Sequence, residues 1–327
     1  MVRRKKIGFG VFLELPNGIP SHDTFTDVFR KLASRQFEAC FTSWTESISE
    51  LFEGEVVSID GKTLRRSHDK GNDKKAIHMV SAWASKNYLV LGQVKTDEKS
   101  NEITAIPKLL LGLELKGCLV TIDAMGCQKK IAKVIIDQEA DYLLAVKDNQ
   151  PKLYQAVQDY FTQVNKVNFE GYNVDFAETN NEGHGRIETR RCWVGHDALP
   201  QIEGSENWEG LQTIVMLESE RTVKEETTIE HRYYISSTES SAESLLCASR
   251  EHWGIENSWH WRLDIAFRED ESRIRKGNGA ENLAILRHIA LNLLNKEDTA
   301  KLGMKNKRLK AGWDASYLEK VLAGLAL

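Results

Sequence analysis

Two stretches decide how this chain is read: Val-Val-Ser-Ile-Asp-Gly at residues 56–61 and Leu-Val-Thr-Ile-Asp-Ala at residues 119–124. Each is a β-branched, aliphatic run closed by an aspartate, so each reads as a strand with a carboxylate at its C-terminal end. The same chemistry recurs at 76–83, 88–94 and 142–146, and Lys86-Asn87 makes a tight turn between the first two of these. Residues 102–113 and 129–138 carry apolar side chains at helical spacing. Three strands, a helix, a strand, a helix and a strand predict a mixed α/β sheet flanked by helices, joined by right-handed crossovers. In that topology the first and fourth strands can lie side by side, and if they do, Asp60 and Asp123 face each other.

Composition narrows the partners. The 327 residues hold 44 Lys and Arg against 48 Asp and Glu, a net charge of −4. A polyanion must therefore be held by local basic patches. One such patch is 301–310, with Lys301, Lys305, Lys307, Arg308 and Lys310 and no acid. The five cysteines (Cys40, Cys118, Cys127, Cys192, Cys247) are scattered and form no CxxC pair, which predicts free thiols in a reducing compartment. The apolar run near the start is interrupted by Glu14, and no stretch is long enough to span a membrane, so a cytoplasmic protein is expected.

Four regions are predicted. Residues 1–53 are helical, with Ser21 as N-cap before Phe25, Val28, Phe29 and Leu32. Residues 54–150 form the first part of the α/β core. Residues 151–240 form a β-rich insertion: one helix at 152–161, strands at 172–177, 186–194, 211–217 and 229–236, and a turn at Asn180-Asn181-Glu182-Gly183. Residues 241–327 complete the core with helices at 242–267 and 280–294.

Two buried carboxylates raise each other's pKa unless a cation lies between them. Hard oxygen donors of this kind suit Mg²⁺ or Mn²⁺. Taken singly, each aspartate reads as the start of a turn; the matched pair favours the metal reading. A third acid comes from residues 250–267, where His252, Glu256, His260 and Asp264 recur every fourth residue. That stripe also fits a solvated helix face, and a di-iron bundle would need a second Glu-x-x-His copy that the chain lacks. Glu256, amid Trp and Ile, is preferred over Asp264, which lies nearer the charged exit. Three carboxylates with two divalent ions match in-line phosphodiester chemistry. Nucleotide-loop, serine-hydrolase and zinc-protease signatures are absent.

The motifs IDGKTLRRS (59–67), KTDEKSNEITAIPKLL (95–110), TIDAMGCQKKIA (121–132), YLLAVKDNQP (142–151), HGRIETR (184–190), REHWGIENSWHWRLDIAFRED (250–270) and RHIALNLL (287–294) resemble the H-repeat-associated transposases. These are DDE-type enzymes of bacterial insertion sequences, often linked to Rhs elements, and the resemblance runs over nearly all of 16–327. It implies an RNase H-like core with a β insertion before the final acid. It also implies Asp60, Asp123 and Glu256 as catalytic triad and metal ligands, with Mg²⁺ or Mn²⁺ as cofactor. The implied partner is double-stranded DNA, both terminal inverted repeats and target, with self-association and a place at the bacterial nucleoid when DNA is bound. Implied DNA contacts are Lys62, Arg65, Arg66, Lys147, Asn149, His184, Arg186, Arg250 and His252.

Two departures accompany the resemblance. The region before Asn17 is shorter than the family usually carries, which bears on recognition of element ends. Ser249, His252 and Leu263 stand where many related transposases have Tyr, Arg and Lys. Alternative readings are a remnant that binds DNA without transposing, and a simple RNase H-like nuclease.

Overall fold

A computed structural model describes residues 16–68, 75–97, 101–183, 185–224 and 226–325. Val56–Thr63 forms β1, His78–Ala84 β2 and Leu89–Lys95 β3, an antiparallel meander. Leu119–Ile122 (β4) then pairs parallel with β1, and Asp141–Val146 (β5) parallel with β4. Helices fill the connections: α3 (Glu102–Leu110) before β4 and α4 (Lys129–Asp137) before β5. Upstream lie α1 (His22–Lys31), capped by the Ser21 side chain as its sequence predicts, and α2 (Ser34–Ile48).

After α5 (Pro151–Lys166) come four long antiparallel strands, β6 (Val174–Gly183), β7 (Arg186–Gly195), β8 (Thr213–Val223) and β9 (Glu226–Ser236). β9 pairs antiparallel with β5, so the described strands make one sheet in the order β3-β2-β1-β4-β5-β9-β8-β7-β6. The first five follow the order and directions of an RNase H-like sheet. The turn expected at Asn180–Gly183 is strand instead. Asn180 pairs with Thr189, whose hydroxyl donates to the Asn180 side chain at 2.6 Å, and Arg190 reaches Asn181 at 3.3 Å. Cross-strand partners there override the turn preference of Asn and Gly.

Alternation along β1 sorts its side chains between two cores. Val57 and Ile59 join Val120, Ile122, Tyr142 and Leu144 beneath α3, α4 and α5. Val56 faces the other way, with Leu119, Leu143 and Val215, onto α6 (Ala242–His252) through Leu245 and Leu246. Ser58 and Asp60 share that second face by the same alternation.

The spacing predicts an unbroken helix over 242–267. The chain instead leaves α6 after His252, makes a π-helical turn at Ile255–His260, and resumes as α7 (Trp261–Phe267). On that turn Ile255 and Trp259 are fully buried, and Trp259 packs 4.6 Å from Trp83 of β2. Helix α8 (Gly279–Lys296) covers the edge strand β3. There the Asn292 amide accepts from the Val90 N–H at 3.0 Å and donates to its carbonyl at 2.9 Å, satisfying an otherwise open edge. Helices α9 (Met304–Trp313) and α10 (Ala315–Ala323) close the chain.

Candidate active site

The site lies where β4 ends beside the middle of β1, which does not close at Asp60 as its sequence suggests but runs on to Thr63, paired with β2. Ile59 and Ile122 are parallel register partners, so the next residues, Asp60 and Asp123, emerge at one level. Asp123 caps a short 3-10 turn (Ala124–Gly126), its carboxylate accepting from the N–H groups of Met125 at 3.0 Å and Gly126 at 3.4 Å. Gly126 allows this turn, because a Cβ there would run into the Ile122 side chain. From β5, Asn149 donates to the Ala124 carbonyl at 2.6 Å and latches the loop.

Glu256 approaches from the π-helical turn, exposed and between the buried anchors Ile255 and Trp259. Burial pushes the Asp60 carboxyl up to about 7, the N–H of Gly61 pulling the other way while the charges of Glu256, Glu102 and Asp123 add to the rise. Burial also raises Asp123, followed by the charge of Glu102; the N–H groups of its own turn and Lys147 oppose this. Asp123 and Glu256 thus both act on the charge of Asp60 from elements far apart in sequence. Partly buried hard oxygen donors, raised first by burial and then by neighbouring carboxylates, suit a divalent cation. Among the described residues, no three metal-binding side chains converge on one point as they stand.

Two residues expected to meet DNA are placed otherwise. Lys62 directs its ammonium to Asp264 at 2.7 Å and to Glu269 at 3.3 Å, with its side chain only 13% exposed. It ties the end of β1 to α7 and the turn beyond. His252 is buried, its Nδ1 3.0 Å from the Thr121 hydroxyl, which in turn donates to Ser58 at 3.2 Å. This places α6 over the strands two residues before each aspartate. Burial drives His252 down to about 4, so the ring is neutral near pH 7.

The remaining candidates spread over the surface. Lys147 and Arg66 are exposed, and Arg250 is exposed on α6. Arg65 pairs with Asp270 at 3.2 Å while its side chain stays largely in solvent. Arg186 begins β7, away at the hairpin tip, and pairs with Glu188 at 3.3 Å. His184 lies outside the described residues. In the basic tail, Lys307 donates to the carbonyls of Leu294 and Glu297, capping α8, and Lys310 lies over the Tyr317 ring.

Residues 51–293 match the sequence family described as Transposase DDE domain, and residues 2–45 match one described as DDE_Tnp_1-associated. The chain belongs to the DDE transposase family. Two relatives are from Escherichia coli. "Putative transposase YncI" of O157:H7 is 47% identical over 314 residues, 95% of this transposase and 80% of the relative. "H repeat-associated putative transposase YhhI" of strain K12 is 42% identical over 320 residues, 96% and 83% of the two chains. The resemblance carried by the motifs is therefore a family relationship. The piggyBac transposase synaptic complex with hairpin DNA overlays with a TM-score of 0.45 at 11% identity, over 93% of this transposase and 59% of that chain. No helix among the described residues is long and apolar enough to cross a membrane.

Three neighbours of the acids escape sequence reasoning. His260 holds Nδ1 3.4 Å from Asp60 Oδ2, and burial followed by the charge of Lys62 lowers it to about 4. Its four-residue spacing from Glu256 is visible in the sequence, but its approach to Asp60 is not. Glu102 and His78 pair at 2.5 Å beside Gly61. The only local signals are an acid opening a helix after β3 and the glycine following Asp60.

Proposed function

We propose that this transposase cleaves the phosphodiester at insertion-sequence ends and joins the freed 3′-hydroxyl to target DNA, using Asp60, Asp123 and Glu256. The observation that supports the reading is the parallel β1–β4 register, which sets the two aspartates at one level on neighbouring strands, with Glu256 acting on the charge of Asp60 from the π-helical turn. These carboxylates would hold Mg²⁺ or Mn²⁺, with the exposed Glu256 free to turn inward. When bound, a divalent pair supplies an activated water or 3′-hydroxyl on one side and charge stabilisation of the leaving oxygen on the other.

The chain's own contribution is placement. The Asp123 turn is held by its N–H groups and by Asn149, so its carboxylate is oriented before substrate arrives. The Lys62 clamp keeps the end of β1 against α7. Lys147 stands near enough to act on the charge of Asp123 and is exposed, a position suited to a backbone phosphate at the cleavage point. Arg66, Arg65 and Arg250 extend a basic margin for duplex DNA. Arg186, with His184, would meet a more distant part of a long substrate.

The test uses duplex oligonucleotides carrying the element's terminal inverted repeat, Mg²⁺ and a plasmid target. Wild type should nick the end and yield a joined product; Asp60→Asn and Glu256→Gln should do neither while folding normally. Undiminished cleavage by either variant removes its acid from the chemistry. Cleavage without joining reduces the protein to a nuclease.

A further inference from the structure

The insertion strands run past the sheet that carries the aspartates. Val146, the last residue of β5, pairs with Tyr233, whereas β9 begins at Glu226. Residues 226–232 therefore project beyond the end of β5, on the side where Asp123 follows β4. Alternation gives this arm two faces. Cys192, Leu217 and Tyr234 pack toward α6, so Arg186, Glu188, Arg190, Arg221 and Arg232 share their side, which is also the side of Asp60. Arg191, Glu218 and Glu220 lie on the other, with Trp193 and Met216.

The two faces carry opposite charge clusters. Toward α6, three guanidiniums converge on one carboxylate: Glu188 meets Arg186 at 3.3 Å, Arg221 at 3.8 Å and also Arg190. On the far side, three carboxylates converge on one guanidinium: Arg191 meets Glu178 at 2.7 Å, Glu218 at 2.6 Å and Glu220 at 2.9 Å. Cross-strand pairing alone would match one acid to one base. The observed clusters leave positive charge over on one face and negative charge on the other. Arg186 and Arg221 keep 44% and 53% of their side chains in solvent, so both have donors left for a second anion. The root of the positive face rests on the catalytic segment, where Arg232 lies 4.5 Å over the ring of Trp253.

Resting on the reading that DNA is cut at Asp60 and Asp123, we propose that Arg186, Arg190 and Arg221 form a phosphate clamp. It holds duplex DNA along the α6 face of the insertion, and the acidic far face turns DNA away. Glu188 gathers the three guanidiniums, whose outward N–H groups meet phosphate oxygens in the fork geometry that arginine offers. Strands rise about 3.4 Å per residue and lie about 4.8 Å apart, which sets the clamp about 25 Å from Asp123. That is the rise of roughly seven base pairs, so one duplex reaches both.

Phosphate contacts carry no sequence information, so a fluorescein-labelled duplex of arbitrary sequence and about 30 base pairs serves as probe. Its binding to the full chain, followed by anisotropy across a salt series without divalent metal, tests the clamp apart from cleavage. The double variant Arg186→Ala, Arg221→Ala should bind about tenfold more weakly, with the slope of log K against log salt reduced by about 2. Glu188→Gln keeps the arginines, removes the competing carboxylate and should tighten binding, a gain that misfolding does not produce. Lys147→Ala is the reference for the catalytic end. Wild-type binding by the double variant, where Lys147→Ala is weakened, overturns the clamp alone. Polyglutamate bound in place of the duplex, and released by the double variant, assigns the cluster to an acidic protein and also overturns it. A wild-type chain that binds no duplex at low salt overturns the clamp together with the DNA-cutting reading.

Discussion

Lys62 Nζ lies 2.7 Å from Asp264 Oδ1, a pairing that joins β1 to α7, the helix after the π-helical turn. Its second partner, Glu269, is 2% exposed and also meets Arg287 at 3.4 Å. Burial raises Glu269, and the charges of Lys62 and Arg287 hold it down. The ammonium therefore stabilises a carboxylate that has no water to turn to.

Removing that ammonium leaves a buried charge short of a partner. Lys62→Met should lower folding stability by roughly 3 kcal/mol, measured by chemical denaturation. Arg66→Ala, on the exposed neighbouring turn, should stay within about 0.5 kcal/mol of wild type. Equal stability of the two variants would return Lys62 to the surface.

The turn below Asp123 has little room. Gly126→Ala places a methyl group against the Ile122 side chain, a clash that should cost about 1–3 kcal/mol. The turn that orients the carboxylate shifts with it, so DNA cleavage should fall at least about tenfold even well below the melting temperature. Wild-type cleavage with a normal Tm would show that the turn is not needed to aim Asp123.

Metal stabilisation should depend on pH with a defined sign. The folded Asp60 carboxyl lies at about 7, above its ordinary 3.8. A raised carboxyl adds stability that is complete below the ordinary value and is lost as pH rises through 7. Above 7 the site holds an uncompensated charge that a cation relieves; below 7 the cation must displace a proton. Saturating Mn²⁺ should therefore raise Tm more at pH 8 than at pH 6, and Asp60→Asn should abolish the difference. Equal shifts at both pH values would contradict the coupling.

Three buried histidines act in the opposite direction. Burial lowers His252 and His260 to about 4 and His288 to about 3, the charge of Lys62 adding to the fall at His260 and those of His260, Lys62 and Arg287 at His288. Each takes up a proton in the unfolded chain near 6.5 and in the folded chain only near its depressed value. Their contribution is thus complete above about 6.5 and is lost as pH falls toward 4, by up to about 1.4 kcal/mol per group per pH unit. The Tm should drop steeply over that window, and less steeply in His288→Leu. A flat profile from pH 6.5 to 4.5 would refute it.

Much of the site was legible before any coordinates. Strand periodicity and crossover handedness, which act locally, allow β1 to lie beside β4 with Asp60 and Asp123 as neighbours. The third acid was harder to read: the four-residue stripe names Glu256 but suggests a continuous helix, where the chain instead makes a π turn whose Ile255 and Trp259 share a core with Trp83.

The sequence by itself determined the succession of strands and helices through β5, the mixed α/β class and the family, since these follow from local side-chain patterns and motifs; the strand order came from the fold. The tertiary structure alone decided which charged groups are free. Lys62 finds Asp264 across 202 residues, His252 finds Thr121 across 131, and Glu102 enters beside Gly61 from the far face of the sheet. Burial and pairing are properties of what the folded chain brings near a residue, and no local pattern records them.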